Sequence, residues 1–217
     1  MHRYAVYYAP RSGPFSDQAT RWLNGDAGGL VPDVDAKDLT SGARRYGFHG
    51  TLRAPFRPAE HVTALGIATE VAALAARLRP VECTGLHLEN LGGFLALTPT
   101  GDVTALADLA ACVVRATNPL RAALTETDVA RRRPDRLTAQ QCALMNDWGY
   151  PFVMEEFRFH LTLTDRLTPD QILSVMPALQ ARFDPVLPCP FRVEDLCLFG
   201  EDAAGAFHLL HRYPLTG

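Results

Sequence analysis

Residues 45–54 read Arg45-Tyr46-Gly47-Phe48-His49-Gly50-Thr51-Leu52-Arg53-Ala54, and residues 157–164 read Phe157-Arg158-Phe159-His160-Leu161-Thr162-Leu163-Thr164. Each has the composition of a strand, Arg45 to Ala54 in one case and Glu155 to Thr164 in the other. Side chains alternate faces along a strand. In the later stretch Phe157, Phe159, Leu161 and Leu163 share one face, which must be core, and Arg158, His160, Thr162 and Thr164 share the other. In the earlier one Phe48, Leu52 and Ala54 share a face, opposite Arg45, His49, Thr51 and Arg53. Both strands are therefore expected to be apolar on one side and to carry His and Thr side by side on the other.

The surroundings of the two stretches repeat as well. The helical spacing of Val62, Leu65, Ala68, Val71, Ala72, Ala75 and Leu78 predicts a helix over Ala59–Arg79 after the first. Strands Val81–Leu91 and Phe94–Pro99 follow, joined at Gly92-Gly93, a pair that supplies the positive φ a tight turn needs. After the second stretch, Thr168-Pro169-Asp170-Gln171 is a capping box with proline at the first helical position. The helix it opens carries Ile172, Met176, Leu179 and Phe183, and Pro177 bends or shortens it. Strands Phe191–Phe199 and Ala206–Tyr213 then flank a turn over Gly200–Gly205. The distance from histidine to turn is about 40 residues in both copies.

Outside the copies, Tyr4–Ala9 predicts a strand, Phe15–Leu23 a short helix and Asp26–Thr40 a loop. A long helix opens at Asp102, buries Leu106, Leu109, Ala110, Val113 and Val114, and ends or kinks at Pro119. Arg131–Pro134 is a loop, and Thr138 with Gln141 caps a further short helix. The expected architecture is α+β: one bilobal domain over 1–217, with copies at about 45–99 and 155–213 related by a pseudo-twofold axis. A helical and loop connector occupies about 102–150, and a cleft lies between the lobes.

Composition bounds the function. The chain has 217 residues, 47% hydrophobic and 21% charged, as a globular domain has. Its formal net charge of −3 speaks against long nucleic acid as a partner. Five cysteines without a C-x-x-C pair argue against a disulfide framework or a cysteine zinc site. No apolar leader or 18-residue apolar run appears, so a cytoplasmic, membrane-free and monomeric protein is expected. Only Lys37 is lysine among 21 basic residues, so no arginine is functional on identity alone.

Two histidines and two threonines on facing strands suit phosphate-ester chemistry. A neutral histidine takes a proton from water, and a protonated one gives a proton to the leaving oxygen. Both roles fit a group that titrates near ~6.5. Threonine hydroxyls donate to phosphate oxygens as charge builds. The sequence offers no metal motif, and neither metal nor cofactor is expected. Thr is common in strands for its shape alone, and Arg for its salt bridges.

His49-Gly50-Thr51-Leu52 and His160-Leu161-Thr162-Leu163 resemble the paired motifs of the 2H phosphoesterase superfamily. Residues 45–56 together with Trp148-Gly149-Tyr150-Pro151-Phe152 resemble its branch found with phosphonate-degradation (carbon–phosphorus lyase) genes, a likeness that runs from Tyr4 to the last hairpin. Arg53 departs from it, standing where lysine is expected. The resemblance implies metal-free hydrolysis of a small cyclic phosphodiester, with His49, Thr51, His160 and Thr162 as the catalytic set. In that branch the substrate is 5-phospho-α-D-ribose 1,2-cyclic phosphate, opened to ribose 1,5-bisphosphate. Arg45, Arg53, Arg158, Arg133 and Tyr46 are the expected substrate contacts, with Arg136 a further cation of the connector. The alternatives are an RNA end bearing a 2′,3′-cyclic phosphate or 2′–5′ linkage, and a non-catalytic phosphate-ligand binder.

Overall fold

The computed structural model of the chain describes residues 1–26 and 36–217. Its elements in chain order are β1 (Tyr4–Tyr8), α1 (Pro14–Leu23), α2 (Ala36–Leu39), α3 (Ser41–Tyr46), β2 (Gly50–Phe56) and α4 (Ala64–Ala75). Then come β3 (Val81–Cys83), β4 (Gly85–Asn90), β5 (Leu95–Thr100), α5 (Thr104–Thr117), α6 (Glu126–Arg131) and α7 (Ala139–Trp148). The chain closes with β6 (Leu161–Thr162), α8 (Pro169–Phe183), β7 (Phe191–Val193), β8 (Asp195–Glu201) and β9 (Phe207–Pro214). This is an α+β fold of antiparallel sheet with flanking helices.

The described residues form a seven-stranded sheet, ordered β4-β5-β6-β2-β1-β8-β9, and a two-stranded ribbon of β3 and β7. Every pairing is antiparallel. The two His-x-Thr strands, β2 and β6, are neighbours. Each copy's hairpin crosses over: β4–β5 of the first copy lies beside β6 of the second, and β8–β9 of the second lies on the β2 side, with β1 between. The short β3 and β7 strands, equivalent in the two copies, pair with each other through Glu82 and Arg192.

One sheet face carries the main core. Leu52, Leu86, Leu88, Leu95, Leu97, Leu161, Leu163, Leu196 and Leu198 meet Ile67, Val71, Leu106, Leu109, Val113, Val175, Leu179 and Phe183 from the helices. Full burial of each such side chain contributes about 1.5–3 kcal/mol of transfer free energy. The opposite face carries a smaller cluster of Ala5, Tyr7, Ala9, Cys197, Phe199 and Phe207. It stays partly open, and the candidate site lies there.

The capping boxes at Thr138/Gln141 and Thr168/Gln171 are present, each with reciprocal side chain–backbone bonds. The Gly92-Gly93 turn uses φ of 64° and 107°. The helix expected over Ala59–Arg79 is shorter, because Thr63 caps it by accepting from the Gly66 amide at 3.1 Å. The loop expected over Asp26–Thr40 falls largely outside the described residues, and its last part is α2. The Arg131–Pro134 loop begins inside α6, which Thr125 and Asp128 cap.

Two strand expectations are corrected. Residues 41–46 are helical, and the strand begins only at Gly50, after Gly47 turns the chain at φ 70°. Of the strand expected over Glu155–Thr164, only Leu161–Thr162 enters the ladder, and Met154–Glu156 is a 3-10 turn. The apolar face survives without the ladder, since Phe159, Leu161 and Leu163 are all buried. Thr164, expected on the polar face, is buried and accepts from the Leu95 amide at 2.9 Å.

Gly50 fixes how closely the two motif strands approach. A Cβ there would stand 2.3 Å from the Phe159 ring and 3.1 Å from Leu161 Cδ2. The ring just before His160 thus fills the space under the residue after His49. Gly50→Ala should destabilise the fold by about 1–3 kcal/mol through overpacking, read as a lowered urea midpoint. An unchanged midpoint would show that the ring moves aside without cost.

Candidate active site

The site follows from one pairing. Gly50 of β2 stands opposite Leu161 of β6. Continued one residue each way, this antiparallel register sets His49 across from Thr162 and Thr51 across from His160. Opposed residues of such a pair lie about 4.5–5.5 Å apart at Cα. All four polar side chains share one face, while Leu161 points into the core. On the other flank of β6, Ala96 of β5 pairs with Thr162.

The imidazoles are held alike. Nδ1 of His49 donates to the Gly47 carbonyl at 2.9 Å, and Nδ1 of His160 donates to the Arg158 carbonyl at 2.8 Å. A carbonyl oxygen only accepts, so each Nδ1 carries the hydrogen and each Nε2 is left free. The Tyr7 ring stacks on His49 with centroids 4.0 Å apart, and Phe94 lies 5.7 Å from His160. Both histidines are half-buried. Burial pushes His49 down to about 4; the Gly47 bond opposes the shift and the charge of His160 adds to it. Burial lowers His160 too, opposed by its bond to the Arg158 carbonyl and assisted by the Arg158 guanidinium.

A cleft of about 450 Å³ opens over the His49 and Thr51 side of this face; His160 and Thr162 are not among its lining residues. Tyr7, His49 and Thr51 line it together with Arg45 and Tyr46, and Arg3, Arg131, Arg132 and Tyr150 complete the lining. Among the described residues none of its lining side chains is a carboxylate. Glu201 sits behind it, paired with Arg3 and 3.6 Å from Arg45. Arg45 also donates to the Gly205 carbonyl at 2.7 Å, so it reaches the cleft from α3 and not from a strand. No three His, Cys, Asp or Glu side chains gather as a metal set among the described residues.

Three of the expected cations lie elsewhere than on the His49 and His160 face. Arg53 does not stand beside His49. The β1–β2 register shifts between Val6–Arg53 and Tyr7–Thr51, which leaves Leu52 without a partner and breaks the alternation of faces. Ala54, expected in the core, lines the cleft instead, and Arg53 is 2% exposed, donating to the Trp148 carbonyl at 2.7 Å. Arg158 is turned away by an ion pair with Glu89 of β4 and lines a separate pocket with His87 and Thr98. Arg133 follows the end of α6 outward into solvent, 3.7 Å from Asp135. Its neighbours Arg131 and Arg132 face the cleft; the run of three arginines announces a basic loop but not which members face inward. Nothing in the sequence singles out Arg3, and Tyr7 and Tyr150 have core packing as their simplest reading.

A family model described as a protein of unknown function, DUF1045, matches residues 51–208. The chain belongs to the DUF1045 family. Two curated relatives of this DUF1045 protein bear the name ribose 1,5-bisphosphate phosphokinase PhnN. The one from Janthinobacterium sp. (strain Marseille) is 34% identical over 100% of this chain, and the one from Laribacter hongkongensis (strain HLHK9) is 36% identical over 97%. The chain spans about half of their length, 51% in each case. Among solved structures, TT0787 of Thermus thermophilus is 15% identical with a TM-score of 0.48, covering 100% of this chain and 99% of that one. E. coli LigT complexed with phosphate is 14% identical with a TM-score of 0.46, covering 100% and 98%. No helix among the described residues is long and apolar enough to cross a membrane.

The lowered His49 value has a measurable sign. Its unfolded value is near 6.5 and its folded value near 4, so between these the unfolded chain binds more protons. Its contribution to stability is complete above about 6.5 and declines as pH falls toward 4. Urea midpoints should therefore drop over that window, and His49→Gln should flatten the drop. An equally steep decline in the variant would assign it to other groups.

Proposed function

We propose that this DUF1045 protein is a cyclic phosphodiesterase of the 2H phosphoesterase kind, with His49, Thr51, His160 and Thr162 as its catalytic set. The observation that carries this reading is the Gly50–Leu161 pairing, which puts both His-x-Thr motifs on one face of adjacent strands. The Thr51 and Thr162 hydroxyls hold the non-bridging oxygens of the cyclic phosphate between the imidazoles. One Nε2 takes a proton from water as its oxygen attacks phosphorus. The other Nε2 gives a proton to the ester oxygen as its bond to phosphorus breaks. One water is consumed, and the ring opens to a phosphate monoester and a hydroxyl. His49, lowered further and stacked on Tyr7, is the base in this reading, and His160 the acid. The incoming phosphate anion favours the protonated form of the acid. The two imidazoles account for both proton transfers, so no metal takes part.

The substrate class follows from the cleft's charge. Four arginines line it, more than one cyclic phosphate monoanion needs. This supports a small sugar phosphate with a second phosphate group, namely 5-phospho-α-D-ribose 1,2-cyclic phosphate. Opening that ring yields ribose 1,5-bisphosphate, the compound in the name of the two relatives. Hydrolysis in a reducing, cytoplasmic setting by a monomer completes the reading.

Hydrolysis of this ester should persist in EDTA, followed by phosphorus NMR. His49→Ala and His160→Ala should each lower kcat by about 10²–10⁴. Near-normal turnover in either variant, or activity that chelation abolishes and a divalent metal restores, would remove the mechanism. Tight binding of the ester without turnover would make the protein a binder instead. The profile of kcat/KM should be bell-shaped with its maximum on the acid side of 6.5, since both histidines are lowered; a maximum above 7 would contradict the assignment.

A further inference from the structure

Beside the cleft, on the far side of Ala54 and Pro55, lies a smaller pocket of about 50 Å³. That is several times the ~10–15 Å³ that one water requires. Arg53, Arg57 and Arg121 line it alone, and Arg3, Arg131, Arg132 and Tyr150 are shared with the cleft. Asp128 is the one acid among its described lining residues, and it is taken by Arg57 at 2.7 Å and by the cap of α6. Arg3 is taken by Glu201. Among the described residues no carboxylate lies within 4.0 Å of Arg53, Arg121, Arg131 or Arg132.

Helix-end carbonyls hold two of these guanidinium groups in place. Arg121 donates to the Asn146 and Asp147 carbonyls at 3.2 and 2.9 Å, and Arg53 to that of Trp148. The end of α7 carries partial negative charge, which suits cations. Gly149 lets Arg121 come this close: a Cβ there would stand 3.2 Å from its Cδ and Nε. The helix end is half a charge at most, against several full positive ones. Arg53 is also left incomplete, because its Nε is buried with no hydrogen-bond partner. An unmet buried donor costs about 1–3 kcal/mol, more when charged. Arg132 lies over the Tyr150 ring at 4.4 Å, which fixes its plane without neutralising it.

We infer that this pocket is a phosphate-monoester subsite, which takes the distal phosphate of the substrate while the cyclic phosphate sits between His49 and His160. This rests on the function proposed above. Arg53 and Thr51 are two residues apart on β2, a span of about 7 Å in a strand, which suits a sugar phosphorylated at both ends. Burial first, and then the charges of Arg121 and Arg132 beside it, lower Arg53 to about 9, and a bound dianion favours its charged form again. A guanidinium fork matches phosphate oxygens in pairs, which a lysine does not.

Calorimetry with ribose 5-phosphate on the full chain separates the two sites, because this probe has a monoester but no cyclic phosphate. The wild type should bind it, Arg132→Ala should weaken binding about 10–100-fold, and His49→Gln should leave it unchanged. Arg57→Ala, at a part-exposed residue that lines this pocket and not the cleft, should weaken it in the same direction. No binding by the wild type, equal affinity in both arginine variants, or loss of affinity in His49→Gln would overturn the subsite. Turnover is read separately, with ribose 1,2-cyclic phosphate compared with and without its 5-phosphate. If neither is hydrolysed, the proposed activity fails and calorimetry alone decides the pocket. If both are hydrolysed with equal kcat/KM, the activity stands and the subsite does not. A higher kcat/KM for the 5-phosphorylated ester, lost in Arg132→Ala through KM and not kcat, supports it.

Discussion

The antiparallel pairing of Gly50 with Leu161 is the contact on which the site depends. A slip of β6 by one residue would turn His160 into the leucine core, away from His49, and bring Leu161 up to the site face. The ladder itself is a weak guard against that slip, because β6 is only Leu161–Thr162. Its position is held from elsewhere. Phe159 packs under Gly50, Thr164 accepts from the Leu95 amide, and the Trp22 indole donates to the Leu163 carbonyl at 2.7 Å. Three side-chain anchors within six residues do what a longer strand would do through its backbone. They also leave the stretch before His160 free of ladder bonds, so the Arg158 carbonyl can take the imidazole hydrogen.

Charge is arranged locally and against the sign of the whole. The chain is acidic by three charges, yet its cleft is walled by arginines without a lining carboxylate among the described residues. Such a pattern concentrates positive potential in one concave place while the remaining surface stays acidic. The burial that keeps His49 neutral also lowers the local dielectric around the arginines. Both effects strengthen attraction for a small anion and give little to an extended one.

Much of this is legible in the chain. Two amphipathic stretches, a capping box with Pro169, and the Gly92-Gly93 turn carry their own local physics, and each is found. The repeat suggests that the two motif faces meet, as facing strands across a cleft; the structure instead sets the strands side by side in one sheet. The arginines are another matter. Strict alternation puts Arg53 on the His49 face, and a register shift around Leu52 undoes alternation without leaving a mark in composition. Arg158 meets Glu89, 69 positions away, and Arg53 meets the carbonyl of Trp148, 95 away. A cation's direction is set by such remote partners, so residue type and spacing place it near a site but do not aim it. The helical turn at 41–46 is hidden for a similar reason: Arg45-Tyr46 reads as extended until Gly47 is known to bend the chain.

The exchange of hairpins between the two copies has a consequence for the molecule's divisibility. The β4–β5 hairpin completes the sheet beside the other copy's motif strand, and β8–β9 extends it on the far flank. A chain severed within 102–150 would yield two fragments, one with a gap between β5 and β2 and one with β6 unpaired on both sides, each presenting raw backbone along β2 or β6. Neither piece could close its half of the sheet except by borrowing strands from the other. Interlocking of this kind makes the segments before and after 102–150 depend on each other for a continuous sheet.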